Sequence, residues 1–511
     1  MALTQLPPVG PSAREEVPRR QPARESAART YPRSLPVVPV RARGLTVEGA
    51  DGRRYLDCLS GAGSLALGHN HPVVLEAIRS VLDSGAPLHV MDQATPVRDA
   101  FTEELSATLP RAWAGSARIR FCGPAGTDAV RAALGLVRKA TGRTGLLAFT
   151  GAHDKIAAGA PGGSVIRLPY PQDYRCPFGA GGADGARLAA DRAESLLEHR
   201  GSRRDGPAAM LVEPVLGEGG VIPAPDGWLR RMRELTAAHG IALIADETHT
   251  GVGRTGAFWA VEHSGVVPDV MVLSDAIGGS LPLAAIVHRE ELDAGRTGDR
   301  AGAFQGNQLA MAAGAATLKY VRENRLPERA AALGERMLAG LSAMAGECGH
   351  IGEVRGRGLM IGVEFVDPGA PGPAAGGSRP PLAAAPAAAA AVRRECLRRG
   401  LIVGLGGRYA SVIRLLPPLT ITDEQADAVL DRFAGAVAAV SHGAHQRDPG
   451  PGPLERPGTP RFRGPSGNAG APGSPGGWAT PGAPPPRGTT SHPSPSNHPS
   501  TPKEAGAAFP A

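Results

Sequence analysis

Apolar positions in the middle of the chain fall into short unbroken runs. Residues 241–245 are all apolar and stop at Asp246 and Glu247. A second run, 270–273, stops at Ser274 and Asp275, with a Gly278-Gly279 turn beyond. Runs of this length, flanked by turn chemistry, suit strands buried on both faces of a parallel sheet. Ligands of such sheets bind beyond the carboxyl ends of the strands, so Asp246 and Asp275 are expected to face one crevice. The same reading predicts strands at 119–122, 146–149, 208–212, 353–354, 360–365, 401–403 and 412–416, and a hairpin around Val47 and the Asp51-Gly52 turn. Helical spacing links Val74, Ile78, Val81 and Leu82, then Val97, Phe101, Leu105 and Leu109, then Leu229, Met232 and Leu235. Further helices are predicted over 126–139, 308–322 and 327–345, another ends near Arg399, and a last one has Ala426, Val429, Leu430 and Phe433 inward. Asp226 and Asp423 are read as helix caps.

Composition changes this picture mainly at the ends. Residues 1–35 are rich in Pro, Arg and Ser without apolar periodicity, and 443–511 are Pro, Gly and Ser; a disordered basic arm and a disordered tail are expected. The Pro, Gly and Ala tract at 367–391 reads as an enlarged surface loop. The net charge of +7 comes from arginines in the terminal segments, such as Arg14, Arg19, Arg20 and Arg24, so no nucleic-acid partner is indicated. Five scattered cysteines, odd in number and without CxxC spacing, indicate neither a disulfide framework nor a zinc site and fit a reducing, cytoplasmic setting. No run of about eighteen apolar residues predicts a membrane span, and no apolar stretch at the N-terminus predicts a secretory signal.

Several motifs carry candidate chemistry. In chain order they are Gly68-His69-Asn70-His71-Pro72, the stretch PLHVMDQATPVRDAF, and the Gly-rich turn Gly123-Pro124-Ala125-Gly126-Thr127-Asp128 opening a helix. Next come Gly151-Ala152-His153-Asp154-Lys155, then Glu213-Pro214-Val215-Leu216-Gly217-Glu218-Gly219-Gly220. DETHTGVGRTG, SDAIGG, Ala303-Phe304 and Ile413-Arg414-Leu415-Leu416-Pro417-Pro418 complete the set. Read from residue types alone, each has an ordinary alternative. His69 and His71 suit a turn and a helix start, the Gly-rich turn suits a helix cap, Glu218 suits a solvated loop, and Arg414 suits a structural ion pair. A helix N-terminus after a Gly-rich turn also suits an anion, and a planar guanidinium suits a carboxylate.

Over residues 36–442, in this order, the motifs resemble the class III, fold type I pyridoxal-phosphate aminotransferases. The PLHVMDQATPVRDAF stretch resembles the diaminobutyrate–2-oxoglutarate branch, which moves the terminal amino group of an ω-amino acid. The resemblance implies an α/β fold: a large domain with a mostly parallel sheet covered by helices, and a small α+β domain. It places an N-terminal segment at 36–100, the large domain at 101–330 and the C-terminal part of the small domain at 331–442. It implies pyridoxal 5′-phosphate as cofactor, an amino acid and a 2-oxo acid as partners, and a dimer, either of this chain or with a paralogue.

The resemblance also assigns roles. Asp246 pairs with the pyridine nitrogen, Gly126 and Thr127 hold the phosphate, His153 stands at the ring-stacking position, and His249 replaces a Gln beside the ring. Glu218 lies near the substrate, where it masks an arginine, and Arg414 binds the α-carboxylate. The lysine that carries the cofactor corresponds to Asp275, and a carboxylate forms no Schiff base. Phosphate-side hydroxyls are replaced by Ala125 and Ala303, costing roughly 1.5–3 kcal/mol for each hydrogen bond to a charged group. The four lysines, Lys139, Lys155, Lys319 and Lys503, suggest no substitute. Three functions follow: a diaminobutyrate-type transaminase, a non-catalytic partner of a lysine-bearing paralogue, and altered chemistry with pyridoxamine phosphate and Asp275 as acid or base.

Overall fold

Strand formation follows the apolar runs closely in a computed structural model that describes residues 36–91, 93–113, 115–152, 164–200, 206–293, 305–371 and 381–443. The chain opens with β1 (Pro39–Arg43), β2 (Thr46–Gly49) and β3 (Arg54–Asp57), the last two paired across the predicted Asp51-Gly52 turn. Helices α1 (Pro72–Asp83) and α2 (Pro96–Ser106) each start on a proline, where the missing N–H costs nothing. Then come β4 (Ala117–Phe121), α3 (Gly126–Thr141), β5 (Gly145–Phe149), β6 (Val165–Leu168), α4 (Gly182–Arg200) and β7 (Pro207–Val212). A ribbon of β8 (Val215–Leu216) and β9 (Ile222–Pro223) leads to α5 (Asp226–Ala238), β10 (Ala242–Asp246), β11 (Val270–Leu273) and β12 (Ala285–Arg289). After α6 (Gln308–Glu323) and α7 (Leu326–Glu347) come β13 (Ile351–Arg357), β14 (Met360–Pro371), β15 (Leu382–Ala384) and α8 (Pro386–Arg398). The last elements are β16 (Leu401–Ile402), β17 (Gly404–Gly406), β18 (Val412–Leu415) and α9 (Asp423–Gly443).

The large sheet has seven strands in the order β4-β12-β11-β10-β7-β5-β6. Only β12 runs against its neighbours, so the sheet is mostly parallel. Successive residues of β11 feed opposite cores: Met271 and Leu273 pack with α2 and α6 residues such as Phe101 and Met311, Val270 and Val272 with α3 residues such as Val130 and Val137. Burial on both faces explains why these strands read as unbroken apolar runs. Two smaller sheets, β1-β2-β3-β16 and β13-β14-β18-β17 with β15 on β14, complete the fold.

The structure corrects several local expectations. The 367–391 tract is not one loop: β14 runs on to Pro371, β15 returns to pair Val366 with Ala384 and Asp367 with Ala383, and α8 begins at Pro386. The predicted 401–403 strand is β16 over 401–402, paired with β3, and the short β17 that follows it, paired with β18, was not predicted. Asp226 is the first residue of α5 rather than its cap, and its carboxylate pairs with Arg357 at 2.9 Å. Thr422, not Asp423, takes the cap position of α9: its hydroxyl accepts from the N–H of Gln425, while Asp423 pairs with Arg329 and Arg336. The terminal arm and tail lie outside the described residues.

Candidate active-site crevice

Asp246 ends β10, buried, and its Oδ1 accepts from the N–H of Thr248 at 3.0 Å. Glu247 turns the opposite way. Its oxygens accept from the Thr250 hydroxyl and from the Val261 N–H at 2.9 Å, which braces the loop presenting His249. Burial pushes the Glu247 carboxyl up to about 7, against those hydrogen bonds. Beyond β11, Asp275 opens a short 3-10 turn (Asp275–Gly278) with φ +55°, a left-handed conformation that Asp adopts more readily than most residues. His249 Nε2 stands 3.7 Å from Asp275 Oδ2.

Arg414 occupies the middle of β18. Its Nη1 donates to Glu218 Oε1 at 2.8 Å and its Nη2 to the Leu405 carbonyl at 3.3 Å. Room for the guanidinium comes from Gly406 of β17, where a Cβ would lie 2.7 Å from Arg414 Nε. Glu218 lies in the loop joining β8 to β9, which is tied by Glu213 Oε2 accepting from Gly217 N–H at 3.1 Å. A Cβ on Gly217 would stand 2.8 Å from His249 Nδ1, so the imidazole rests against that loop. Asp275, His249, Gly217, Glu218 and Arg414 thus form one continuous line of contacts.

A third group comes from the start of α3. Two antiparallel steps through β12 leave β4 running in the same direction as β11, so the β4 carboxyl end and the α3 N-terminus open on the crevice side. Gly126 is the first helical residue and Thr127 the second, after an Ala125 that offers no hydroxyl. Asp128 Oδ2 accepts from Ala125 N–H at 3.2 Å, so a carboxylate already occupies part of a cradle suited to anions. Sequence position had also singled out His153, Lys155 and Ala303, which lie outside the described residues. His69 and His71 follow the turn-and-helix reading: His69 Nε2 pairs with Asp57 at 2.8 Å, and His71 precedes α1 with its ring edge on Tyr320. Among the described residues no group of His, Cys, Asp and Glu could hold a metal ion, and no helix is long and apolar enough to cross a membrane.

The sheet order, the crevice and the Arg414–Glu218 pair converge on one group: the chain belongs to the class III aminotransferases, whose family profile matches residues 27–437. It is 50% identical over 435 residues to the diaminobutyrate–2-oxoglutarate aminotransferase of Rhizobium meliloti (strain 1021), covering 82% of this chain and 91% of that protein. The Haemophilus influenzae protein of the same name is 40% identical, over 82% of this chain and 94% of its own length. Among solved structures, a pyridoxal-phosphate-bound amine transaminase from an uncultivated Pseudomonas species superposes with a TM-score of 0.71 at 29% identity, over 82% of this chain and 98% of that one.

Membership of this family implies pyridoxal 5′-phosphate as cofactor. The α3 N-terminus suits a phosphate only beside the Asp128 carboxylate, the buried Asp246 carboxylate suits a pyridine nitrogen, and neither described lysine suits covalent attachment. Lys139 lies in the last turn of α3, a helix of sixteen residues whose other end meets the crevice. Lys319 is on the exposed side of α6, 4.0 Å from Glu323. Neither can supply an amine here. Sequence reasoning also missed two contributors. Glu247 was legible as an acid placed where a wholly buried strand ends, and Gly406 as part of the Gly404-Leu405-Gly406-Gly407 run beside the arginine strand.

Proposed function

We propose that this chain is a diaminobutyrate-type aminotransferase relative that keeps a carboxylate-binding crevice and has given up ordinary pyridoxal-phosphate transamination. The observation that carries the reading is the end of β11. There Asp275, at the place the family gives its cofactor lysine, faces His249 at 3.7 Å, and neither described lysine reaches the site. In the ordinary reaction the lysine anchors the cofactor and moves the proton at the reacting carbon, and Asp cannot do the first. Asp246 and the α3 N-terminus support residual, non-covalent binding of the cofactor ring and phosphate. Arg414, held by Glu218, supports recognition of an amino acid or 2-oxo acid carboxylate.

On this reading the protein is a scaffold or a partner of a lysine-bearing paralogue. Exposed Leu82, Leu88 and Met91 support a subunit interface, and five cysteines without disulfides support a cytoplasmic setting. A second reading, altered chemistry with pyridoxamine phosphate, is favoured by the His249–Asp275 pair, which would let Asp275 act as acid or base. Titration with pyridoxal phosphate and pyridoxamine phosphate, followed by absorbance and thermal shift, tests both. A thermal shift without a lysine-bound absorbance band is expected. A covalent band with amino transfer to 2-oxoglutarate would overturn the proposal, and amino transfer lost in Asp275→Asn would favour the second reading.

A further inference from the structure

The Gly251-Val252-Gly253-Arg254-Thr255-Gly256 motif follows the Asp246 strand directly, yet no part of it enters the crevice chemistry above. Arg254 within it is 2% exposed. Among the described residues no carboxylate pairs with it. Its Nη1 donates to two main-chain carbonyls, those of Leu359 at 3.3 Å and of Pro417, while Nη2 is buried without a partner. Burial pulls the guanidinium down to about 10, so it keeps its charge at neutral pH. Holding a lone cation in a core is expensive unless its hydrogen bonds do something that a smaller apolar residue could not.

The two carbonyls bracket Arg414. Pro417 lies three residues further along the same chain segment, and Leu359 directly precedes β14, whose Gly362 pairs with Arg414. Pro417 and Pro418 have no N–H, so the main-chain bonds of this stretch come from its neighbours, Leu416 N–H to the Cys58 carbonyl at 2.6 Å and Leu419 N–H to that of Ala66 at 2.8 Å. Among the described residues only the Arg254 guanidinium ties it to the loop after the Asp246 strand. The motif also meets the β13–β14 turn by main chain. Arg254 carbonyl accepts from Leu359 N–H at 3.0 Å, and Gly358, at φ +53°, lies so close that a Cβ there would stand 2.5 Å from the Thr255 carbonyl carbon. Eight residues before Arg254 is Asp246, and five before is His249.

We propose that Arg254 is a positioning residue that clamps the β14 and β18 main chain to the loop following the Asp246 strand, and so sets where Arg414 stands relative to Asp246 and His249. The proposal rests on the reading of Arg414 as the carboxylate site and adds the residue that aligns the two halves of the crevice. Lysine keeps the charge but not the reach and planarity of the fork, so it should restore the clamp only in part.

Calorimetric titration of the full-length protein and its Arg254→Met and Arg254→Lys variants with 2-oxoglutarate and with pyridoxamine phosphate tests this. For Arg254→Met, 2-oxoglutarate binding should weaken by about tenfold to a hundredfold, the range expected when Arg414 no longer makes one charged hydrogen bond to the carboxylate. Pyridoxamine phosphate, which has no carboxylate, should bind as in the unmodified protein, and Arg254→Lys should fall between. Equal weakening of both ligands, or none, would overturn the clamp. Failure of the unmodified protein to bind 2-oxoglutarate would remove the carboxylate reading instead. The clamp is then decided by amide hydrogen exchange, with faster exchange in β18 but not β10 of Arg254→Lys supporting it and unchanged exchange in both overturning it. The same exchange comparison applies if Arg254→Met does not fold.

Discussion

The two ends of the crevice differ in how deeply their key residues are built into the fold. Arg414 sits within a strand, its side chain 5% exposed, with Gly406 shaped around it and Glu218 bonded to it. Asp275 stands in a turn past the end of a strand, its side chain 33% exposed. Changing the first disturbs a sheet; changing the second leaves the β11 core untouched. A site on a strand is conserved by packing, whereas a loop residue on a rigid frame is free to change its chemistry. A substitution at Arg414 should therefore cost more fold stability than one at Asp275.

Experiments that break or sharpen that contrast can be ranked by expected effect. Asp275→Lys should have the largest: a stoichiometric covalent adduct with pyridoxal phosphate, visible by absorbance and mass spectrometry, where the unmodified chain gives none. Arg414→Met should remove the opposite end, weakening 2-oxoglutarate by about a hundredfold, since hydrogen bonds to charged groups contribute roughly 1.5–3 kcal/mol each. Glu247 gives a pH effect between them. Its folded pKa is raised from 4.5 to about 7, so the folded state holds its proton more tightly. The stability it contributes is full below the unfolded value and is lost as pH rises through about 7. Thermal unfolding should show stability falling by about 3 kcal/mol across that window, and Glu247→Gln should flatten the slope. Glu218→Gln should do least, tightening 2-oxoglutarate by about threefold, because it removes only one partly exposed ion-pair partner of Arg414.

Much of the large sheet was legible because burial on both faces writes itself into sequence as unbroken apolar runs; 270–273 was read to the residue. The edge strand β15 was not, because Leu382–Ala384 has no pattern of its own and exists only by pairing with β14. The two cap assignments failed for a different reason, while the starts at Gly126 and Gln308 were read to the residue. Asp226 and Asp423 have the chemistry of caps, but their carboxylates are taken by Arg357 and by Arg329 with Arg336. At the site, individual residues were legible from their types, while the masking of an arginine by Glu218 came only from the family resemblance. Glu218 and Arg414 are 196 residues apart, and nothing local announces their bond. The role of Arg254 was equally hidden, since its partners are main-chain carbonyls that any sequence would supply.

The left-handed backbone at Asp275 also governs which side chains that turn accepts. At φ +55° an aspartate is among the better tolerated side chains, while a lysine meets the ordinary steric penalty of L-residues there, about 1 kcal/mol. An aspartate at that turn leaves the main chain less strained than a lysine would. Asp275→Lys should therefore cost about 1 kcal/mol of stability at this turn before any ligand binds, a backbone cost separate from whatever chemistry the new amine supplies.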